Sequence, residues 1–210
     1  MTLYAVKPAF QQALRPASRF AMRHAISADQ LTLAAVGLSA IGGLALAMSR
    51  AEPLLLLVAL PVVLGRLALN ALDGMVARQA LTARPAGELL NEMGDRAGDL
   101  ALVGGLVMSG YGDVRLGALA LVAMLLPSSV GVAARAAGGG RRYEGPLSKP
   151  DRMAVVATAA MLTPAFPPAL VVDGAFTILA IGSLLTAAIR YRAAHCELSQ
   201  MTTVERAVTR

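Results

Sequence analysis

The sequence predicts an all-α polytopic membrane protein, with six transmembrane helices, an interfacial amphipathic helix at the N-terminus and both termini in the cytoplasm. Three observations carry that expectation. Hydrophobic residues make up 56% of the 210 and charged residues only 15%, with a mean hydropathy of +0.61. Soluble domains carry about 25% charged residues. Several apolar runs approach the roughly 20 residues that cross a bilayer as a helix. Those runs are continuous rather than alternating, which excludes a membrane β-barrel. Finally, lysine and arginine gather in one set of connections and are sparse in the other, the pattern that fixes orientation.

The chain divides into a juxtamembrane segment (1–28), a membrane domain (29–192) and a cytoplasmic tail (193–210). In the first segment Leu3, Val6, Phe10 and Leu14 recur at helical spacing, while Lys7, Arg15, Arg19 and Arg23 meet no acid before Asp29. That pattern suits a helix lying on an anionic leaflet. An acid-free, arginine-containing start is also a property of mitochondrial transit peptides. The apolar runs then predict spans at 30–49, 53–72, 87–110, 114–136, 152–171 and 174–190. Gly37, Gly42 and Gly43 in the first allow close helix packing. The third is unusual, because its first half carries Glu88, Glu92, Asp95, Arg96 and Asp99. Pro164, Pro167 and Pro168 should kink or end the fifth at one membrane face.

The basic residues set the topology. Besides the N-terminal group, Arg78 and Arg84 lie between the second and third spans. Arg141, Arg142 and Lys149 lie between the fourth and fifth, and Arg192, Arg206 and Arg210 follow the sixth. The opposite connections hold only Arg50 and Arg115, each near an acid. The net charge of +6 thus has a membrane explanation. Nucleic-acid binding is not expected, since no basic helix with interleaved aromatics lies outside the spans. Cys196 is the sole cysteine, so no internal disulfide forms.

Ionisable groups in membrane helices are costly and usually functional. The second span ends N-A-L-D-G-M-V-A-R (70–78), with Asn70 and Asp73 on one helix face and Gly74 and Ala77 leaving the backbone approachable. Arg78 adds a cation. The third opens G-E-L-L-N-E-M-G-D-R-A-G-D (87–99), where Glu88, Asn91, Glu92, Asp95 and Asp99 fall within an arc of about 100°. Such oxygen-only clusters suit hard divalent cations (Mg²⁺, Mn²⁺ or Ca²⁺) and, with no histidine or cysteine near, not zinc. The alternative is a solvated loop and helix end whose acids merely face water.

The order of these residues resembles the signature of the CDP-alcohol phosphotransferase (CDP-alcohol phosphatidyltransferase) family. Its pattern is D-x-x-D-G-x-x-A-R, eight or nine residues, then G-x-x-x-D-x-x-x-D. Asp73, Gly74, Ala77, Arg78, Gly87 and Asp95 match in register, with residues 79–86 as spacer. The A-D-Q-L-T run leading into the first span (28–32) is similar too. Two positions depart: Asn70 and Asn91 stand where the family has aspartates.

The resemblance implies a membrane transferase that moves a phosphatidyl or other substituted phosphate group from a CDP-activated lipid to a small alcohol, releasing CMP. The donor would be a lipid like CDP-diacylglycerol. In the family the four acids hold a pair of divalent metals, so Asp73 and Asp95, with Asn70 and Asn91, are the metal positions here. Asp95 is also the general base. Each asparagine keeps a carbonyl oxygen but loses a charge; Glu92 or Glu88 is placed to restore a carboxylate near Asn91. Asn70, Asp73, Gly74, Ala77, Arg78 and Gly87 are expected against the donor. Lys149 and Arg152 are the best-placed basic residues for an anionic acceptor; the alternative is that they are ordinary loop charges. The resemblance also implies Mg²⁺ or Mn²⁺, a homodimer and, with arginine outnumbering lysine as in GC-rich bacteria, an inner-membrane location with the site facing the cytoplasm. Two other readings stay open: an inactive relative that binds CDP-lipid, and a small cation transporter.

Overall fold

A computed structural model describes residues 7–80, 84–140, 142 and 144–208. Leu3 and Val6 of the expected interfacial helix, residues 81–83 of the spacer, Arg141 and Arg210 lie outside these. Eight α-helices account for most of the described chain: α1 Lys7–Ala13, α2 Arg15–Arg23, α3 Ala28–Met48, α4 Ala59–Gln79, α5 Pro85–Met108, α6 Val114–Ala136, α7 Lys149–Leu162 and α8 Pro168–Val208. A 3-10 turn, Pro53–Val58, leads into α4.

Local chemistry sets the helix starts. Ser27 caps α3 through a reciprocal pair in which the Gln30 backbone N–H donates to Ser27 Oγ (3.2 Å) and the Ser27 N–H donates to Gln30 Oε1 (2.9 Å). Asp113 Oδ1 accepts from the N–H groups of Arg115 and Leu116 at 2.8 and 2.9 Å, starting α6. Ser148 and Asp151 cap α7 in the same reciprocal way as α3. Pro85 and Pro150 occupy first-turn positions of α5 and α7, where the missing N–H costs nothing.

Among the described residues, four segments are long and apolar enough to cross a membrane: Ala28–Met48, Pro53–Gln79, Val114–Ala136 and Pro168–Met201. The two remaining expected spans look different. α5 has 24 residues but keeps its charges in the first half. The expected 152–171 span is corrected to Lys149–Leu162, only 14 residues. Its prolines end α7 as the sequence predicts, and Pro168 begins α8, so residues 168–171 belong to the next helix. α8 in turn runs 41 residues, about 60 Å, through the expected tail. No glycine or proline follows Gly182 to stop it.

α3 packs against both α4 and α5, α4 against α7, and α6 along α8. The α3–α5 crossing is backbone against backbone. A Cβ at Gly43 would lie 2.2 Å from the Ala101 carbonyl oxygen, and one at Gly105 would lie 2.0 Å from that of Gly43. Gly42 also sits tightly, against Val62 and Leu102, whereas Gly37 meets nothing within 4 Å and plays no packing role. Inside, Leu46, Leu56, Leu102, Leu106, Met153, Val156, Phe176 and Leu179 are buried. Outside, Ile41, Leu54, Met108 and Leu170 are more than 60% exposed, an apolar exterior suited to lipid.

The helices alternate in direction, so one end of the bundle collects the start of α3, the end of α4 and the starts of α5 and α7. The N-terminal helices sit at this same end: Ser18 of α2, buried, donates to Gln79 Oε1 at 2.9 Å, while Arg15, Arg19 and Arg23 remain exposed. Further along α8, Glu197 accepts from the Gly140 N–H in the α6–α7 connection at 3.1 and 3.2 Å.

Candidate active site

The helix-end cluster joins the two halves of the sequence pattern. The last turns of α4 carry Asn70, Asp73, Gly74, Ala77 and Arg78; the first turns of α5 carry Gly87, Asn91, Glu92 and Asp95. α3 packs against both and supplies a third wall. Thr32 Oγ1 donates to Asp73 Oδ2 at 2.9 Å, with both groups buried. Asp29 pairs with Arg84, and a Cβ at Gly87 would sit 3.4 Å from Asp29 Oδ1. The A-D-Q-L-T run therefore folds onto both parts of the pattern.

Each acid on the α5 stripe has a cationic partner. Glu88 pairs with Arg135 of α6, Glu92 with Arg96 at 2.8 Å, and Asp95 with Lys149 at the start of α7. The Asp95 and Lys149 side chains stay reachable, at 25% and 22% exposure. Asp73 lies close enough to both to interact with them electrostatically.

Below this pair is a buried layer. Arg66, 1% exposed, donates through Nη2 to Asp99 Oδ1 at 2.6 Å and to the Asp95 carbonyl oxygen at 2.8 Å. Asp99 Oδ2 takes Arg152 Nη2 at 2.9 Å, and Arg152 Nη1 donates to the Met124 carbonyl oxygen at 3.2 Å. Gly98 makes room for the arginine, since a Cβ there would be 2.8 Å from Arg66 Nη2. The arrangement ties α4, α5, α6 and α7 together directly beneath Asp95.

The sequence-derived residues thus separate. Asp95 and Lys149 pair, and Asp73 lies at the same end of the bundle, bonded to Thr32. Arg152 is 5% exposed and occupied by Asp99 and Met124, so it faces the interior rather than an open pocket. Arg78 is exposed and turned toward Gly74, whose added Cβ would meet Arg78 Nη1 at 3.3 Å. An open cleft of about 450 Å³ lies between Gln11, Gln12 and Arg15 on one side and Met75, Arg78 and Gln79 on the other. Met75 and Gln79 project roughly 120–160° away from Asp73 around α4, so this cleft is not the space beside Asp95. Thr32 and Arg66 escaped the sequence reading. Arg66 had a signal, since an arginine amid an apolar span must find a partner.

The side-chain chemistry of the pattern positions would suit a hard cation. Asn70, Asp73, Asn91 and Asp95 offer only oxygens, from two carboxylates and two amides. The buried Nδ2 end of the Asn70 amide has no partner among the described residues. Turned over, that amide presents an oxygen instead. Among the described residues, no three Asp, Glu, His or Cys side chains converge as a metal cluster. The fit is therefore to a site of low charge.

No family model matches the chain. Its fold is similar to that of solved structures of one bacterial enzyme. The phosphatidylinositol phosphate synthase PgsA1 of Mycobacterium tuberculosis with CDP-DAG bound matches with a TM-score of 0.72 at 24% identity, covering 85% of this chain and 92% of that one. The same enzyme in complex with manganese and citrate matches equally well, covering 85% and 87%. At this identity the likeness is one of fold. In sequence, the chain is 42% identical over 153 residues to the inner membrane protein YnbA of Escherichia coli (strain K12), covering 72% of this chain and 75% of YnbA. The chain belongs to the family of YnbA.

Proposed function

We propose that this protein is a CDP-alcohol phosphotransferase: it moves a phosphatidyl group from a CDP-linked lipid such as CDP-diacylglycerol to a small alcohol and releases CMP. The observation that carries the reading is that Asp73, near the end of α4, and Asp95, near the start of α5, lie at one end of a bundle whose fold is similar to that of a synthase with CDP-DAG bound, with α3 packed against both helices. The YnbA name and the positive-inside pattern support an inner-membrane location with this end facing the cytoplasm.

Three tasks follow from the reaction. The diphosphate charge must be offset, the acceptor hydroxyl must lose its proton, and CMP must leave. Asp73 and Asp95, with the amide oxygens of Asn70 and Asn91, would hold Mg²⁺ or Mn²⁺, and that ion would supply the first by offsetting diphosphate charge. Thr32 fixes the Asp73 carboxylate. Gly74, Ala77 and Gly87 leave the backbone open to the donor, with Arg78 beside Gly74 as a phosphate partner. The Asp95 carboxylate takes the hydroxyl proton. Lys149 meets the acceptor or its phosphate, and Arg152 acts from beneath through Asp99. Glu92, paired with Arg96, supports the α5 turn. A homodimer is part of the same proposal, by resemblance.

The test is CMP release from CDP-diacylglycerol by purified protein in detergent, with Mn²⁺ or Mg²⁺ and a panel of alcohols. Release that needs metal and one alcohol, and is lost in Asp73→Asn, is expected. Folded protein that binds the CDP-lipid but releases no CMP with any alcohol would instead mark a non-catalytic relative, a reading favoured by the Lys149–Asp95 pair and the two asparagines.

A further inference from the structure

We infer that the Lys149 ammonium takes the place of one divalent ion, so that the centre works with a single metal ion instead of a pair. The inference rests on the proposed function and concerns how this chain's residues balance charge.

Four carboxylates offset two divalent ions; Asp73 and Asp95 offset one. Asn70 and Asn91 keep the oxygens but not the charge. Neighbouring acids do not make up the difference. Glu88 and Glu92 face Arg135 and Arg96, and Asp99 is enclosed by Arg66 and Arg152. The Lys149 Nζ instead donates to Asp95 Oδ1, placing its amine on a carboxylate that the resemblance assigns to metal. Both groups are about three-quarters buried, so their attraction is only partly screened.

The charge inventory agrees. Asp95 pairs with Lys149 and Asp99 with Arg66 and Arg152, while Asp73 is held by the Thr32 hydroxyl, so three acids stand against three bases before any ion arrives. A CDP-linked diphosphate brings two negative charges, which one divalent ion offsets. A second ion would leave two positive charges uncompensated in a low-dielectric setting, where like charges are costly. The unpartnered buried end of Asn70 fits one ion drawing on amide oxygen.

Manganese distinguishes the two arrangements by a readout independent of turnover. Purified protein saturated with Mn²⁺ and CDP-diacylglycerol should hold one Mn²⁺ per chain by elemental analysis, with the six-line paramagnetic resonance signal of an isolated ion. Lys149→Gln, which frees the Asp95 carboxylate, should bind that ion at least about tenfold more tightly. The triple variant Asn70→Asp, Asn91→Asp and Lys149→Met should take up a second ion and show a coupled pair. Two coupled ions in the unaltered chain, or unchanged Mn²⁺ affinity in Lys149→Gln, would overturn the inference. CMP release with two ions bound refutes it while leaving the transferase reading intact. One ion without CMP release refutes the transferase reading while the ion count stands.

Discussion

Arg66 Nη2 and Asp99 Oδ1 meet 2.6 Å apart, with side chains 1% and 7% exposed, directly under Asp95, the residue we propose as general base. The same nitrogen holds the Asp95 carbonyl oxygen, so the position of Asp95 depends on an arginine one helix away. Arg152 closes the group from α7.

Removing Arg66 leaves the buried Asp99 with one cation instead of two. Arg66→Met is expected to destabilise the folded protein by about 3–5 kcal/mol. Thermal unfolding in detergent measures this as a lowered midpoint. Asp99→Asn should also destabilise, and the double variant by less than the sum, since both changes break one contact. Strict additivity would contradict the coupling.

Thr32 supplies the buried hydrogen bond to Asp73. Thr32→Val keeps the shape and removes the donor, at an expected cost of about 1–3 kcal/mol. CMP release should fall, and Thr32→Ser should restore most of it. Equal activity in the valine and serine variants would argue against a role for this bond.

The α3–α5 crossing separates two glycines six residues apart. Gly43→Ala forces a methyl group against the Ala101 carbonyl and should destabilise by about 1–3 kcal/mol or more. Gly37→Ala meets open space and should change stability by no more than about 1 kcal/mol. Paired unfolding curves in one detergent make the comparison.

Orientation can be read from the chain's own single thiol. Cys196 is exposed on the far part of α8, beyond the length needed to span the bilayer. A membrane-impermeant maleimide should label it in inside-out vesicles and not in right-side-out ones. Labelling only in right-side-out vesicles would reverse the topology.

Much of this architecture was legible in the sequence because apolar length and helix breakers act locally. The α3, α4 and α6 segments and the proline stop after α7 follow from such signals. The extent of α7 and the continuation of α8 were not legible. An apolar run does not reveal which side of a proline cluster its residues join, and the tail's polarity concealed an uninterrupted helix. The gapped pattern put Asp73 near the end of α4 and Asp95 near the start of α5, at the same end of the bundle. Their partners required the packing: Thr32 reaches Asp73 across 41 positions, and Lys149 reaches Asp95 across 54. The inward aim of Arg152 likewise depends on Asp99 and Met124, which no spacing rule brings together.

The most direct measurement follows the lipid product. Purified protein is incubated with CDP-diacylglycerol, Mn²⁺ and each alcohol of a panel, and the lipids are read by mass spectrometry beside Asp95→Asn. The account predicts one new phospholipid whose mass is that of the phosphatidyl group plus one alcohol, in equal amount to the CMP formed and absent from the variant. Unchanged CDP-diacylglycerol with every alcohol, or the same product from Asp95→Asn, would contradict it.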